Sequence, residues 1–192
     1  MARIVDYDTV LRTLIGDGLK SLYYNSGSFG FPDGIETQTL GWIGAPDPTI
    51  RPEALAFTRQ VPEPFTENLC RRALEVWGSS APGALWAMPR SHWAYELDFG
   101  SRDWMPGVIR AIGIDPAELA PLTTGAAIEF QPDESNQFES FLRQLLDNLS
   151  GSSDFQLAWP GQPLLCTVHH HRQLWWTTTD DAVYCNVARD AG

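Results

Sequence analysis

Three consecutive histidines form the densest group of potential metal ligands in the chain. His169, His170 and His171 are three of its four histidines, within 192 residues. Neutral imidazole is a common ligand of zinc and related divalent ions. Residues two apart on a β-strand point to the same side and lie about 6.5 to 7 Å apart. The pattern therefore predicts that His169 and His171 approach one ion while His170 faces the opposite side.

A metal site built on two histidines needs a third ligand from another segment. Residues 92–99, HWAYELDF, alternate in polarity and predict a strand that carries His92, Glu96 and Asp98 on one face. Asp98 or Glu96 is therefore the candidate third ligand, on the condition that this polar face meets residues 169–171. The alternative interpretation is that the histidines lie exposed at the tip of a hairpin without any ligand.

A pair of tryptophans follows the histidines. Trp175 and Trp176 are adjacent, so on a strand their side chains point to opposite faces. Exposed indoles stack on ring-shaped ligands and anchor protein interfaces. Trp175, Trp176 and His170 are therefore the predicted binding residues of an aromatic surface, which would contact another protein, a second copy of the chain or a small ligand. The alternative is that both indoles pack in the core or beneath another segment.

Signatures of common catalytic sites do not occur in the sequence. The motifs GxSxG, GxxxxGK[ST], HExxH and GxGxxG are all missing, and no catalytic residue is predicted. The primary expectation is a non-catalytic module that binds another protein or itself through an aromatic, acid-rimmed surface. The alternative is a metal-assisted hydrolase or a small-ligand binder centred on His169 and His171. No cofactor is expected, apart from the divalent metal that this alternative requires.

Charge restricts the classes of partner. The chain carries 24 acidic and 13 basic side chains, a formal net charge of −11, and its one lysine is Lys20. Because nucleic-acid binders neutralise phosphates with clustered Lys and Arg, neither nucleic acid nor an anionic membrane is an expected partner. No apolar run approaches the ~18 residues of a membrane span, and the N-terminus lacks a signal-peptide pattern. The odd number of cysteines, three, predicts free buried thiols and a cytoplasmic location.

Periodicity and punctuation predict one α+β domain over residues 1–192. Residues 1–24 are expected to contain an N-terminal helix, residues 25–66 a Gly/Pro-rich extended arm that covers a sheet edge or a pocket, and residues 67–188 the core. The core is expected to hold a largely antiparallel sheet of five to six strands with two or three helices on one face. A weak similarity between residues 65–100 and 137–172 suggests an internal duplication.

Overall fold

One eight-stranded mixed sheet organises the fold. The computed structural model of the chain describes residues 1–44, 50, 56–148 and 154–189. The strands are β1 (Arg3–Val5), β2 (Lys20–Ser21), β3 (Phe29–Gly30), β4 (Gln38–Ile43), β5 (Thr58–Gln60), β6 (Leu85–Pro89), β7 (Ala127–Phe130), β8 (Phe155–Ala158), β9 (Leu164–His169) and β10 (Gln173–Thr178). The sheet has the order β1-β7-β6-β8-β9-β10-β4-β5, and all of its neighbouring strands are antiparallel except the parallel pair β4 and β5. A separate hairpin joins β2 to β3.

Helices cover both faces of this sheet. The helices are α1 (Tyr7–Gly16), α2 (Phe65–Ser80), α3 (Trp93–Tyr95), α4 (Met105–Ala111), α5 (Pro116–Leu119), α6 (Ser135–Asn148) and α7 (Asp181–Ala188). The larger hydrophobic core lies between the sheet and the helices α2, α4, α6 and α7, and the smaller one lies under α1 and the β2–β3 hairpin. A π-helical turn, Glu96–Gly100, continues α3, and a 3₁₀ turn, Pro132–Glu134, precedes α6. The α+β class and the largely antiparallel sheet are confirmed. Among the described residues, however, the sheet has eight strands rather than five or six, and seven helices cover its two faces rather than two or three on one face.

The segment 92–99 is helical, so the strand predicted there is wrong. The side chain of His92 accepts a hydrogen bond from the backbone N–H of Tyr95 and so caps the start of α3. Trp93 and Leu97 are buried, whereas Phe99 is 72% exposed. Residues four apart share a helix face as well as a strand face. In so short a segment, the alternation therefore does not distinguish the two structures.

The Gly/Pro-rich arm contributes strands to the main sheet. Within residues 25–66, β4 pairs with β10 along six residues and β5 pairs with β4. The indole of Trp42 donates a hydrogen bond to the carbonyl of Val187, which ties β4 to α7. The arm, which was expected to cover a sheet edge or a pocket, thus forms the β4–β5 edge of the sheet itself. Residues 45–49 and 51–55 of this arm lie outside the described residues.

Both chain ends add elements that periodicity did not reveal. The predicted helix within residues 1–24 is shorter, Tyr7–Gly16, and β1 precedes it as an edge strand beside β7. The C-terminal helix α7 begins after Asp180, whose carboxylate accepts hydrogen bonds from two backbone N–H groups of its first turn. Within the described residues, no helix combines the length and the apolar character needed to cross a bilayer.

The suggested duplication matches the structure in one part and not in another. Helices α2 and α6 pack against each other, and the strands that follow them, β6 and β8, are antiparallel neighbours. The elements that follow these strands differ, because β6 is followed by α3 and its π-helical turn, whereas β8 is followed by strand β9. A common origin of the two halves therefore stays a prediction.

Candidate functional site

The three histidines converge at the turn between β9 and β10. His169 is the last residue of β9, and residues 170–172 form the turn, in which Arg172 has a φ of 57°. A three-residue hairpin loop often ends with a residue in this left-handed conformation. The strand spacing predicted that His170 would face away from His169 and His171. This prediction is wrong, because the chain leaves strand geometry after His169. One ligand atom from each imidazole lies within 4.8 Å of the others.

The three imidazoles lie close together but more widely spaced than the ligands of one bound ion. The ring centroids of His169 and His170 are 4.1 Å apart, those of His170 and His171 are 4.2 Å apart, and those of His169 and His171 are 5.0 Å apart. Zinc binds imidazole nitrogen at about 2.0–2.1 Å in tetrahedral geometry, which places two nitrogens of one ion about 3.3–3.4 Å apart. The imidazole nitrogens, which lie within 4.8 Å of one another, must therefore move closer together to hold an ion.

Asp154 positions the central imidazole. Its Oδ1 lies 2.9 Å from Nδ1 of His170 and also accepts a hydrogen bond from the His170 backbone N–H. Since a carboxylate only accepts hydrogen bonds, Nδ1 of His170 carries the proton and donates a hydrogen bond to Asp154. The other ring nitrogen, Nε2, then has the lone pair that a metal ion requires. Metal-binding histidines commonly use their second nitrogen in this way, to contact a carboxylate.

Arg90 lies on the other side of the Asp154 carboxylate. Its guanidinium NH1 is 3.6 Å from Oδ2 of Asp154, and its Nε donates a hydrogen bond to the hydroxyl of Ser28. The backbone N–H of Arg90 also donates to the Asp154 carbonyl. A shallow cavity of about 290 Å³ opens here, and its lining consists of Tyr23, Ser28, Arg90, Ser91 and Asp154.

Gly27 allows the β2–β3 connection to approach this cavity. A Cβ atom at Gly27 would lie 2.2 Å from the carbonyl oxygen of Pro89, too close for any other residue. The backbone N–H and carbonyl of Phe29 are both hydrogen-bonded to the side chain of Gln156 on β8. These contacts hold Ser28 beside Arg90.

The two carboxylates predicted as metal ligands are not part of the cluster. Glu96 is fully buried and accepts hydrogen bonds from the hydroxyls of Ser91 and Ser101. Asp98 is exposed on the π-helical turn. Among the described residues, the one converging group of three or more His, Cys, Asp or Glu ligand atoms consists of the three histidines. The third imidazole thus takes the place expected for Asp98 or Glu96.

The two tryptophans have different environments. Trp176 is 1% exposed and stacks on Trp159 in the larger core, with ring centroids 5.7 Å apart. The expected surface role of Trp176 is therefore corrected, because its side chain does not reach the surface. Trp175 is half-buried on the opposite sheet face, where its indole lies against Gly41 and its Nε1 donates to Gln173.

The cysteines are not candidates for reactive groups in the core. Cys70 and Cys166 are buried, and burial raises the pKa of Cys70 to about 12 and that of Cys166 well above its usual value. Because the thiolate is the nucleophile and the metal ligand, both groups are held in their unreactive form. Cys185 is exposed on α7, which corrects the expectation that all three thiols are buried.

Sequence reasoning missed Asp154 and Arg90, although one signal for Asp154 was present. Strands β8 and β9 are antiparallel neighbours, and their register pairs Phe155 with Val168. Extending this register by one residue places Asp154 beside His169. Arg90 has no comparable local signal, because it reaches the site from β6.

No protein-family model, curated protein or solved structure matches this chain.

Proposed function

We propose that the protein binds a divalent transition-metal ion through His169, His170 and His171. The observation that supports this most is the convergence of three imidazoles in one turn, with the central one oriented by Asp154. Imidazole ligands favour zinc, copper, nickel and iron over magnesium or calcium. The third ligand is thus a neighbour in sequence rather than a carboxylate from another segment.

Three protein ligands are typical of a metal that also binds water or substrate. Structural zinc sites are usually closed by four protein ligands, whereas catalytic sites keep one position open. A metal with an open position lowers the pKa of its bound water and can supply a nucleophile for hydrolysis. Metal-assisted hydrolysis is therefore the reaction class that this site would favour if the protein is an enzyme.

Metal titration of single-histidine variants tests the proposal. Zinc, copper, nickel and iron are added separately to the metal-free protein, and the midpoint of thermal unfolding and the dissociation constant are measured. We expect at least one ion to stabilise the wild type, because an ion that binds only the folded state raises its stability. His169→Ala, His170→Ala and His171→Ala should each abolish most of this stabilisation.

His92→Ala is the matched control. His92 is the one histidine outside the cluster, and its Nδ1 is engaged with the backbone of Tyr95. This variant should keep the metal response of the wild type even if it is less stable without metal. A wild type that responds to none of the four ions, or a response that survives in all three cluster variants, contradicts the proposal.

A second proposal is binding of a partner protein or a second copy through the surface around Trp175. The half-buried indole lies on Gly41, and threonines flank it on the neighbouring strands, as Thr167 pairs with Trp175 and Thr39 pairs with Thr177. Tryptophan is enriched at the centres of protein interfaces. The net charge of −11 favours a basic partner, and a cytoplasmic location stays a prediction.

Light scattering of Trp175→Ala tests the self-association form of this proposal. If the wild type is a dimer that uses this surface, the variant should be a monomer with nearly unchanged unfolding temperature. Trp176→Ala is the contrasting variant, because loss of a buried aromatic side chain costs about 3–5 kcal/mol of stability. A dimer that persists in Trp175→Ala, or a monomeric wild type, contradicts self-association through this face.

A further inference from the structure

We propose that the cavity beside Arg90 binds the oxyanion group of a ligand, a phosphate or a carboxylate, when the histidine cluster holds its metal. This inference rests on the metal binding proposed above and extends it by naming the chemical class of the ligand. The supporting observation is one carboxylate, Asp154, that contacts the histidine cluster with one oxygen and Arg90 with the other.

The cavity offers the donors that an oxyanion requires. Arg90 is 33% exposed, and its guanidinium is the cationic group among the residues that line the cavity. The planar guanidinium forms paired hydrogen bonds with phosphate or carboxylate oxygens. The exposed phenol of Tyr23 lies at the same opening and can donate one more. A volume of about 290 Å³ accommodates a small acidic group.

Arg90 is held in place before any ligand binds. Its Nε donates to Ser28, the Ser28 hydroxyl donates to the Arg90 carbonyl, and its backbone N–H donates to the Asp154 carbonyl. A side chain already fixed in its binding geometry loses little conformational entropy on binding. The orientation of Arg90 toward the cavity is therefore part of the fold.

The charge balance makes oxyanion binding depend on the metal. Without an ion, the positive charge of Arg90 is offset by the negative charges of Asp154 and Glu96. Glu96 accepts a hydrogen bond from the hydroxyl of Ser91 at the cavity wall. These carboxylates repel an anion. A divalent ion on the neighbouring histidines adds two positive charges and reverses this balance. Because coupling between two binding sites is reciprocal, the oxyanion should also strengthen metal binding by the same factor.

Calorimetric titration with inorganic phosphate and with acetate tests the inference. The full chain is loaded with zinc, freed of excess ion by dialysis, and its zinc content is measured before each titration. We expect one or both anions to bind the zinc-loaded protein and to bind the metal-free protein at least tenfold more weakly. Binding of phosphate alone indicates a phosphorylated ligand, whereas binding of acetate alone indicates a carboxylate ligand.

Three arginine variants identify the binding group. Arg90→Gln should weaken anion binding roughly ten- to a hundredfold, the usual effect of losing hydrogen bonds to a charged group, and should still load zinc. Arg90→Lys keeps the charge but loses the paired geometry, so partial binding is expected. Arg102→Gln is the control, because Arg102 is an exposed arginine beside Asp103, and it should bind like the wild type.

The outcomes separate this inference from the metal proposal. A wild type that loads zinc but binds neither anion overturns the oxyanion site and leaves the metal site standing. Equal anion binding by zinc-loaded wild type and Arg90→Gln, or equal binding with and without zinc, also overturns it. A wild type that binds none of the four ions overturns both the metal site and the oxyanion site.

Discussion

At the scale of single residues, the site depends on which atom of each side chain is engaged. Asp154 uses Oδ1 for the ring and the backbone of His170 and Oδ2 for Arg90. This leaves Nε2 of His170 as the atom that faces away from the carboxylate. A histidine whose tautomer and orientation are fixed in advance loses less freedom on binding an ion. In the proposed metal site, the carboxylate would thereby position a ligand without contacting the ion itself.

We expect Asp154→Asn to weaken metal binding roughly 10- to 100-fold, the effect usually seen when the hydrogen-bonding partner of a metal ligand is replaced. Asparagine keeps the size of the side chain but lacks the negative charge that favours Nδ1–H of His170. A competition titration with a chromophoric chelator measures the change. Asp98→Asn, at an exposed carboxylate on the π-helical turn, should have no effect. Unchanged affinity in Asp154→Asn would show that Asp154 does not orient the ligand.

At the scale of elements, a buried carboxylate fastens the edge of the sheet. Glu129 on β7 is 5% exposed and accepts hydrogen bonds from Arg3 on β1, from the indole of Trp86 on β6 and from Gln131. Burial by itself raises the pKa of Glu129, but these three hydrogen bonds and the charge of Arg3 outweigh it, so the pKa is lowered overall. The short edge strand β1 is thus attached by a charged contact as well as by its backbone ladder.

The stability supplied by Glu129 should depend on pH. Because the folded-state pKa is lower than that of the unfolded chain, the stabilisation is complete above the ordinary carboxyl pKa of about 4.3. It is lost as the pH falls through the folded-state value. Relative to the wild type, Glu129→Gln should lower the free energy of unfolding by about 1–3 kcal/mol at pH 7, and by less near pH 3. Urea unfolding at the two pH values measures this, and an equal difference at both would contradict it.

At the scale of the whole molecule, the hairpin that carries the histidines lies where distant segments of the chain meet. The turn continues β9 and β10, the backbone N–H of Gly44 after β4 donates to the carbonyl of Arg172, and Asp154 immediately precedes β8. Trp175 lies on β10 next to the same turn. The proposed metal site, oxyanion cavity and aromatic surface are therefore close to one another.

The local sequence was sufficient where periodicity and chain breaks agree. In helix α6, Phe138, Phe141, Leu142 and Leu145 recur at helical spacing, and all four are buried in the structure. Strands β8, β9 and β10 are short apolar runs separated by turn residues, a pattern typical of strands. These elements form because their own side chains cover one face, which is a property that a short window of sequence contains.

The surroundings of each side chain depend on tertiary contacts. Trp93 was predicted to lie on a strand but is a buried helical residue, and its indole donates a hydrogen bond to the carbonyl of Ala126. Strand β4 forms by pairing with β10. Asp154 and Arg90 meet the histidines through contacts between residues far apart in sequence. The charge, the α+β class and the presence of three adjacent imidazoles follow from the amino-acid sequence alone. The convergence of these imidazoles depends on the turn at residues 170–172, and the orientation of His170 depends on its hydrogen bond with Asp154. Neither a turn conformation nor a hydrogen bond to a distant residue is encoded in spacing alone.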